Sequence, residues 1–231
     1  MTQPARSSRR PGAYGARVAK ERLGSPRARL FVALELPDWV REELGAWQRQ
    51  TLAADPALRA PDAATLHVTL CFLGWVPERR TLEVAGIVRG LERRPIELRF
   101  EPEPVPVPRG SPRLFAADAP SEEADRLAAE LSRKLEAARL YEPERRPFWS
   151  HVTIARVRAE RAPAGSGGRR RRARPMRTAA PPPALPERLA DPFGAVRVTV
   201  YRSILRAQGA TYVPLASTDL PSPDRTGTEK E

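Results

Sequence analysis

The sequence is poor in the residues that most often carry redox and metal chemistry. It has one cysteine, Cys71, and two histidines, His67 and His151, among 231 residues. A single thiol excludes an intrachain disulfide and a cysteine-built zinc site. This usage points to a reducing cytoplasm and a chain that needs no covalent staple. No run of 18 apolar residues occurs, so no membrane-spanning helix is expected and no membrane partner with it. No apolar stretch follows the basic residues at the start, so they do not read as a secretory signal. Aromatic residues make up 6% of the chain, and none interleaves with its densest arginine run. That run therefore lacks the rings on which bases stack.

Charge is abundant but unevenly placed. The formal net charge is +12. Residues 1–29 carry Arg6, Arg9, Arg10, Arg17, Lys20, Arg22, Arg27 and Arg29 against Glu21 alone. Residues 161–178 carry Arg161, Arg169, Arg170, Arg171, Arg172, Arg174 and Arg177 with no acid. The rest of the chain is slightly acidic, so the basicity belongs to a tail and an insert. Such runs are solvated tracts or weak magnets for RNA phosphates.

Residues 1–28 lack hydrophobic periodicity and read as a disordered basic tail. The folded body is expected over 29–217, interrupted by a disordered insert at about 160–187 that is rich in Arg, Pro and Gly. Residues 218–231 read as a second tail. Within the body, Leu30–Leu36 reads as a strand ended by Pro37, and Asp38 as the N-cap of a helix carrying Trp39, Val40, Leu44 and Trp47. Leu66–Leu73, Ile96–Phe100, Arg113–Ala117 and Phe148–Val157 read as strands. Thr81–Leu91 and Ser121–Leu140 read as helices. Val196–Leu205 and Thr211–Leu215 form a hairpin across Gln208-Gly209.

Both histidines stand in one pattern. His67-Val68-Thr69-Leu70 and His151-Val152-Thr153-Ile154 lie 84 residues apart. The same shift lays Arg29-Leu30-Phe31-Val32-Ala33 on Arg113-Leu114-Phe115-Ala116-Ala117. Strand, helix and histidine strand thus occur twice, which implies two similar lobes about a pseudo-twofold axis. In each histidine strand the His and the Thr two residues on share a face, and the intervening apolar residues share the other. On this alternation Cys71 joins the His67 and Thr69 face as a small filler, and Phe72 joins Val68 and Leu70. The expected architecture is α+β and bilobal, with antiparallel sheets flanked by helices and a central cleft. Two imidazoles across that cleft suit displacement at phosphorus, one taking a proton and the other giving one. The threonine hydroxyls can donate to phosphate oxygens. No carboxylate cluster stands near the histidines in the sequence, so no metal is expected.

His67 to Gly74 and Pro147 to Arg156 resemble the two signatures of the two-histidine phosphoesterases, in particular the RNA 2′,3′-cyclic phosphodiesterase branch, also called the 2′-5′ RNA ligase family. Arg29–Pro37 is similar to that family's opening strand. Ser203-Ile204-Leu205 with Gly209-Ala210-Thr211-Tyr212 is similar to its closing hairpin. The resemblance implies cofactor-free hydrolysis of an RNA 2′,3′-cyclic phosphate end to a 2′-phosphomonoester; a monomer is expected. It implies that His67 protonates the leaving 3′ oxygen, that His151 activates water, and that Thr69 and Thr153 hold the phosphate. Arg156 corresponds to a family arginine that supports phosphate binding. Arg113 and Phe148 are further candidates for substrate contact. Two features depart from the family pattern: Ser150 stands where proline often precedes the second histidine, and the arginine-rich insert is long. The same site also suits 2′-5′ ligation or another cyclic nucleotide, and the arginine tracts alone would suit a non-catalytic RNA-binding adaptor.

Overall fold

A computed structural model describes residues 26–160, 174–178, 180–206 and 209–223. Its centre is one continuous antiparallel sheet. The strands are β1 (Arg27–Glu35), β2 (Leu58–Arg59), β3 (His67–Pro77), β5 (Val105–Val107), β6 (Leu114–Asp118), β7 (His151–Val157), β9 (Arg197–Arg206) and β10 (Gly209–Asp219). They follow the order β10-β9-β1-β3-β7-β6-β5, with β2 also paired to β7. A separate two-stranded ladder joins β4 (Glu97–Leu98) to β8 (Phe193–Gly194). The two halves are thus joined by hydrogen bonds as well as by packing. The histidine strands β3 and β7 are neighbours at the middle, meeting at Val68↔Val152. Farther along β7, Leu58 and Arg59 of β2 pair with Val157 and Arg156. β3 and β7 have parted by then, and β2 occupies the edge of β7 that β3 leaves.

Three helices cover the apolar face: α1 (Asp38–Thr51), α2 (Thr81–Arg89) and α3 (Glu122–Ala137). α3 buries Ala124, Leu127, Ala128, Leu131 and Leu135 at helical spacing, and Ser121 caps it by accepting from the Ala124 N–H. At α1 the N-cap is Pro37, not Asp38. Asp38 sits in the first turn, where its charge faces the helix dipole and pairs with Arg41. The helices lie crosswise: α3, from the second half, packs on β3, and α1, from the first half, packs on β7. Val68, Val152 and Ile154 are fully buried beneath them.

Several sequence boundaries shift. Order reaches back before residue 29, because Arg27 and Ala28 pair with Pro77 and Val76 and Ala28 is buried. At the other end β10 continues through Thr218 and Asp219, which pair with Val198 and Arg197. The expected insert is built in part. Pro175 bridges Ala159, Leu185 is buried, and the Ala184 carbonyl accepts from the Trp47 indole at 3.0 Å. The remainder of the expected tails and insert, including Arg169 to Arg172, lies outside the described residues. The expected strand Ile96–Phe100 contracts to two paired residues.

The second histidine strand is tied to α1 by one buried side chain. Gln48 donates to the Ile154 carbonyl at 2.8 Å, and Ile154 is the residue that the β6–β7 register skips. Gln48→Ala removes the donor and leaves that carbonyl without its partner. The variant is expected to lose about 1–3 kcal/mol of stability, measurable by urea unfolding.

Candidate active site

The site follows from the register of the two central strands. Antiparallel pairing about Val68↔Val152 places His67 across from Thr153 and His151 across from Thr69. The four side chains form a square on the open face of the sheet. The histidines lie on its diagonal, a separation of about 7–8 Å for such neighbours. A tetrahedral phosphorus fits between two imidazoles so spaced. All four side chains line a cleft of about 830 Å³.

Each imidazole is held in the same way. His67 Nδ1 donates to the Thr65 carbonyl at 2.6 Å, and His151 Nδ1 donates to the Trp149 carbonyl at 2.8 Å. A carbonyl accepts only, so the neutral tautomer leaves each Nε2 with a lone pair. His67 Nε2 accepts from the Thr69 hydroxyl at 3.1 Å. The Thr65 carbonyl is itself set by a short turn, in which Asp62 accepts from the Ala64 N–H. Rings complete the supports. Phe31 stacks on His67 with centroids 5.0 Å apart, Tyr212 meets it edge-on at 5.5 Å, and Trp149 stacks on His151 at 4.0 Å.

Two carboxylates escaped the sequence reading. Glu35 pairs with His67 across β1–β3, and Asp118 pairs with His151 across β6–β7. They are equivalent positions of the two halves. Glu35 Oε1 accepts from the Thr199 hydroxyl at 2.6 Å and the Tyr201 hydroxyl at 2.7 Å. Asp118 accepts from the Trp149 indole at 2.7 Å. The signal was present as acid-apolar-proline in Glu35-Leu36-Pro37 and Asp118-Ala119-Pro120. These triplets are 83 residues apart, whereas the histidines are 84 apart. The outer strands are therefore related by a shift one residue shorter than the resemblance of Leu30 to Leu114 implied.

Bulges correct a second expectation. The β1–β3 register skips Leu70, passing from Ala33↔Thr69 to Val32↔Cys71. Beyond it the faces exchange: Cys71 turns into the core and Phe72 turns to the cleft. Burial pushes the Cys71 thiol up to about 12, which keeps it unreactive. The equivalent skip at Ile154 sends Ala155 inward and Arg156 to the cleft. Phe72 and Arg156 are therefore counterparts, one lobe offering a ring where the other offers a guanidinium. Arg29 lies over the Phe72 ring at 4.5 Å and donates to Ser203 at 2.9 Å.

The remaining candidates separate. Arg156 is in the cleft with the histidines and threonines. Arg113 lines an adjoining groove instead. Phe148 packs against the core and is not among the cleft-lining residues, because the ring that faces His151 is that of the next residue, Trp149. Among the described residues no three His, Cys, Asp or Glu side chains are grouped to hold a metal ion. No described helix is long and apolar enough to cross a membrane.

Both imidazoles are held below their ordinary value, chiefly because burial disfavours the cation. At His67 the Thr65 carbonyl opposes this, Arg156 and His151 add to it, and Glu35 opposes it again. At His151 the Trp149 carbonyl and Asp118 both oppose it. Burial thus favours the neutral form of both rings, and each has a carboxylate across the strand, Glu35 or Asp118, that favours the cation. Two substitutions separate these influences. In an NMR titration of the ring protons, Arg156→Ala is expected to raise the His67 midpoint, and Asp118→Asn to lower that of His151.

Comparison with known proteins bears on the fold and the family. No family model matches the chain. An RNA 2′,3′-cyclic phosphodiesterase of Archaeoglobus fulgidus is 30% identical over 136 residues, spanning 56% of this chain and 73% of that protein. The crystal structure of TT0787 from Thermus thermophilus superposes with a TM-score of 0.66 at 26% identity, covering 83% of this chain and 97% of that one. Escherichia coli LigT, crystallised with 3′-AMP, shares the fold with a TM-score of 0.63 at 23% identity, covering 84% and 99%. A square of paired histidines and threonines on this fold, with that curated relative, places the chain in the RNA 2′,3′-cyclic phosphodiesterase family of two-histidine phosphoesterases.

Proposed function

We propose that the protein hydrolyses the 2′,3′-cyclic phosphate at the end of an RNA to a 2′-phosphomonoester, without a metal ion. The observation that carries this reading is the diagonal pair of imidazoles, each fixed through Nδ1 with Nε2 toward one cleft. His151 Nε2 takes a proton from water as the water oxygen bonds to phosphorus. The bond from phosphorus to O3′ breaks, and His67 Nε2 gives its proton to O3′. The Thr69 and Thr153 hydroxyls donate to the non-bridging oxygens, and Arg156 offsets the phosphate charge. Both proton transfers and the charge stabilisation are thus supplied by side chains. We place the protein in the cytoplasm as a monomer, in keeping with its single buried thiol.

Hydrolysis of a 2′,3′-cyclic nucleotide is expected to persist in EDTA. His67→Ala and His151→Ala should each lower kcat by about 10²–10⁴-fold, the usual worth of one acid or base. Undiminished activity in either variant would overturn the mechanism. The pH dependence follows from the lowered histidines. Catalysis needs His67 protonated, and its free-enzyme value lies below 6.5. The profile of kcat/KM should therefore peak below pH 6.5 and fall as pH rises through neutrality. It should fall again at low pH as His151, also lowered, takes a proton.

A further inference from the structure

The two halves differ in what is stacked on the imidazole. The ring on His67 is Phe31, brought from the neighbouring strand β1, with centroids 5.0 Å apart and planes at 30°. The ring on His151 is Trp149, which stands two residues before it in the chain. There the centroids are 4.0 Å apart and the planes at 17°, so the contact is close and nearly parallel. Thr65 holds the corresponding place before His67 and has no ring to offer. Trp149 also supplies the carbonyl that accepts from His151 Nδ1 at 2.8 Å, and its indole N–H donates to Asp118 at 2.7 Å. One residue therefore holds His151 by main chain and side chain, and a carboxylate fixes the plane of the indole. Trp149 is not among the cleft-lining residues, so it acts on His151 and not on substrate.

A neutral imidazole and an imidazolium do not meet such a ring alike. A cation over the face of an indole is attracted by the ring quadrupole, more strongly than over a phenyl face and more strongly still where water is excluded. Donation of the indole N–H to the Asp118 carboxylate adds electron density to that face. The charged and titratable groups around His151 are few. Asp118 lies across the strand on β6, His67 stands diagonally on β3, and Arg156 lies farther along β7. We infer that Trp149 is a positioning residue whose indole face stabilises His151 as an imidazolium, and that this stack makes His151 the proton acceptor of the pair. The inference rests on the catalytic reading above for the reaction, and adds what assigns the roles. As the water O–H bond breaks, His151 Nε2 gains the proton, and the positive charge that develops on the ring is stabilised across its face. Nothing is transferred to Trp149, which is unchanged at the end of the step.

The chain has only two histidines, so NMR of the full chain can follow the His151 ring protons with those of His67 as an internal control. Trp149→Leu keeps the main-chain carbonyl and removes the stack. It is expected to lower the His151 midpoint by about one pH unit and to leave that of His67 in place. Trp149→Phe keeps a ring without the N–H, and its midpoint should fall between. On a 2′,3′-cyclic nucleotide, kcat should drop about tenfold in Trp149→Leu with KM little changed. The acid limb of kcat/KM should move to lower pH, because the weakened base takes its proton only in stronger acid. A purely structural role would lower activity without moving that limb. A His151 midpoint unchanged in both variants, or an acid limb that stays in place while kcat falls, overturns the inference. If Trp149→Leu does not fold, the Trp149→Phe midpoint decides in the same way. A midpoint lowered as expected, in a protein that cleaves no cyclic phosphate, supports the stack and defeats the catalytic reading alone.

Discussion

The site depends on one backbone meeting, that of Val68 with Val152. Both valines are fully buried and their backbones join the two halves, so the position is fixed from beneath and from the side. Everything catalytic in the proposed scheme follows by counting one residue outward along each strand. Because side chains alternate along a strand, these outward neighbours share the open face. A slip of one residue in either strand would drive its histidine and threonine into the core and its apolar residues into the cleft. Register and chemistry are therefore the same constraint here.

Pseudo-symmetry builds the site, and local departures from it make the site useful. Each histidine has the same backbone carbonyl behind it, a ring against it and a carboxylate across the strand. The departures lie around these common parts. Glu35 is held by two hydroxyls and lies 3.8 Å from Arg197, whereas Asp118 takes an indole N–H. Phe72 and Arg156 occupy equivalent bulge-shifted positions with opposite chemistry. Two identical sites would leave both imidazoles with one proton affinity, and acid and base would not be distinguished. The surroundings of the two imidazoles are unequal, which is what the proposed scheme of one acid and one base requires.

Much of this was legible in the sequence because it is encoded locally. The doubled His-apolar-Thr pattern identifies the two strands, and alternation alone puts His67 with Thr69 and His151 with Thr153. The strong helix at Glu122–Ala137 shows in its apolar spacing. Register between strands is not local, and there the reading failed. The skips at Leu70 and Ile154 are invisible in composition, yet they exchange Cys71 with Phe72 and bring Arg156 to the cleft. The offset of one residue between outer and histidine strands concealed Glu35 and Asp118. Phe148 and Trp149 are adjacent aromatics, and only the backbone path decides which ring meets His151.

The crosswise helices bear on synthesis of the chain. Helix α1 belongs to the first half, yet its Gln48 finds its acceptor at Ile154, more than a hundred residues later. Helix α3 in turn covers β3. When the first half leaves the ribosome, the apolar face with Val40, Leu44 and Trp47 has no finished surface to settle on. Neither repeat can mature as a separate unit, and closing loops of this length is slow. The duplication visible in the sequence is thus not a pair of modules that can be cut apart or shuffled. Each repeat's covering helix meets its strand across the boundary between the repeats.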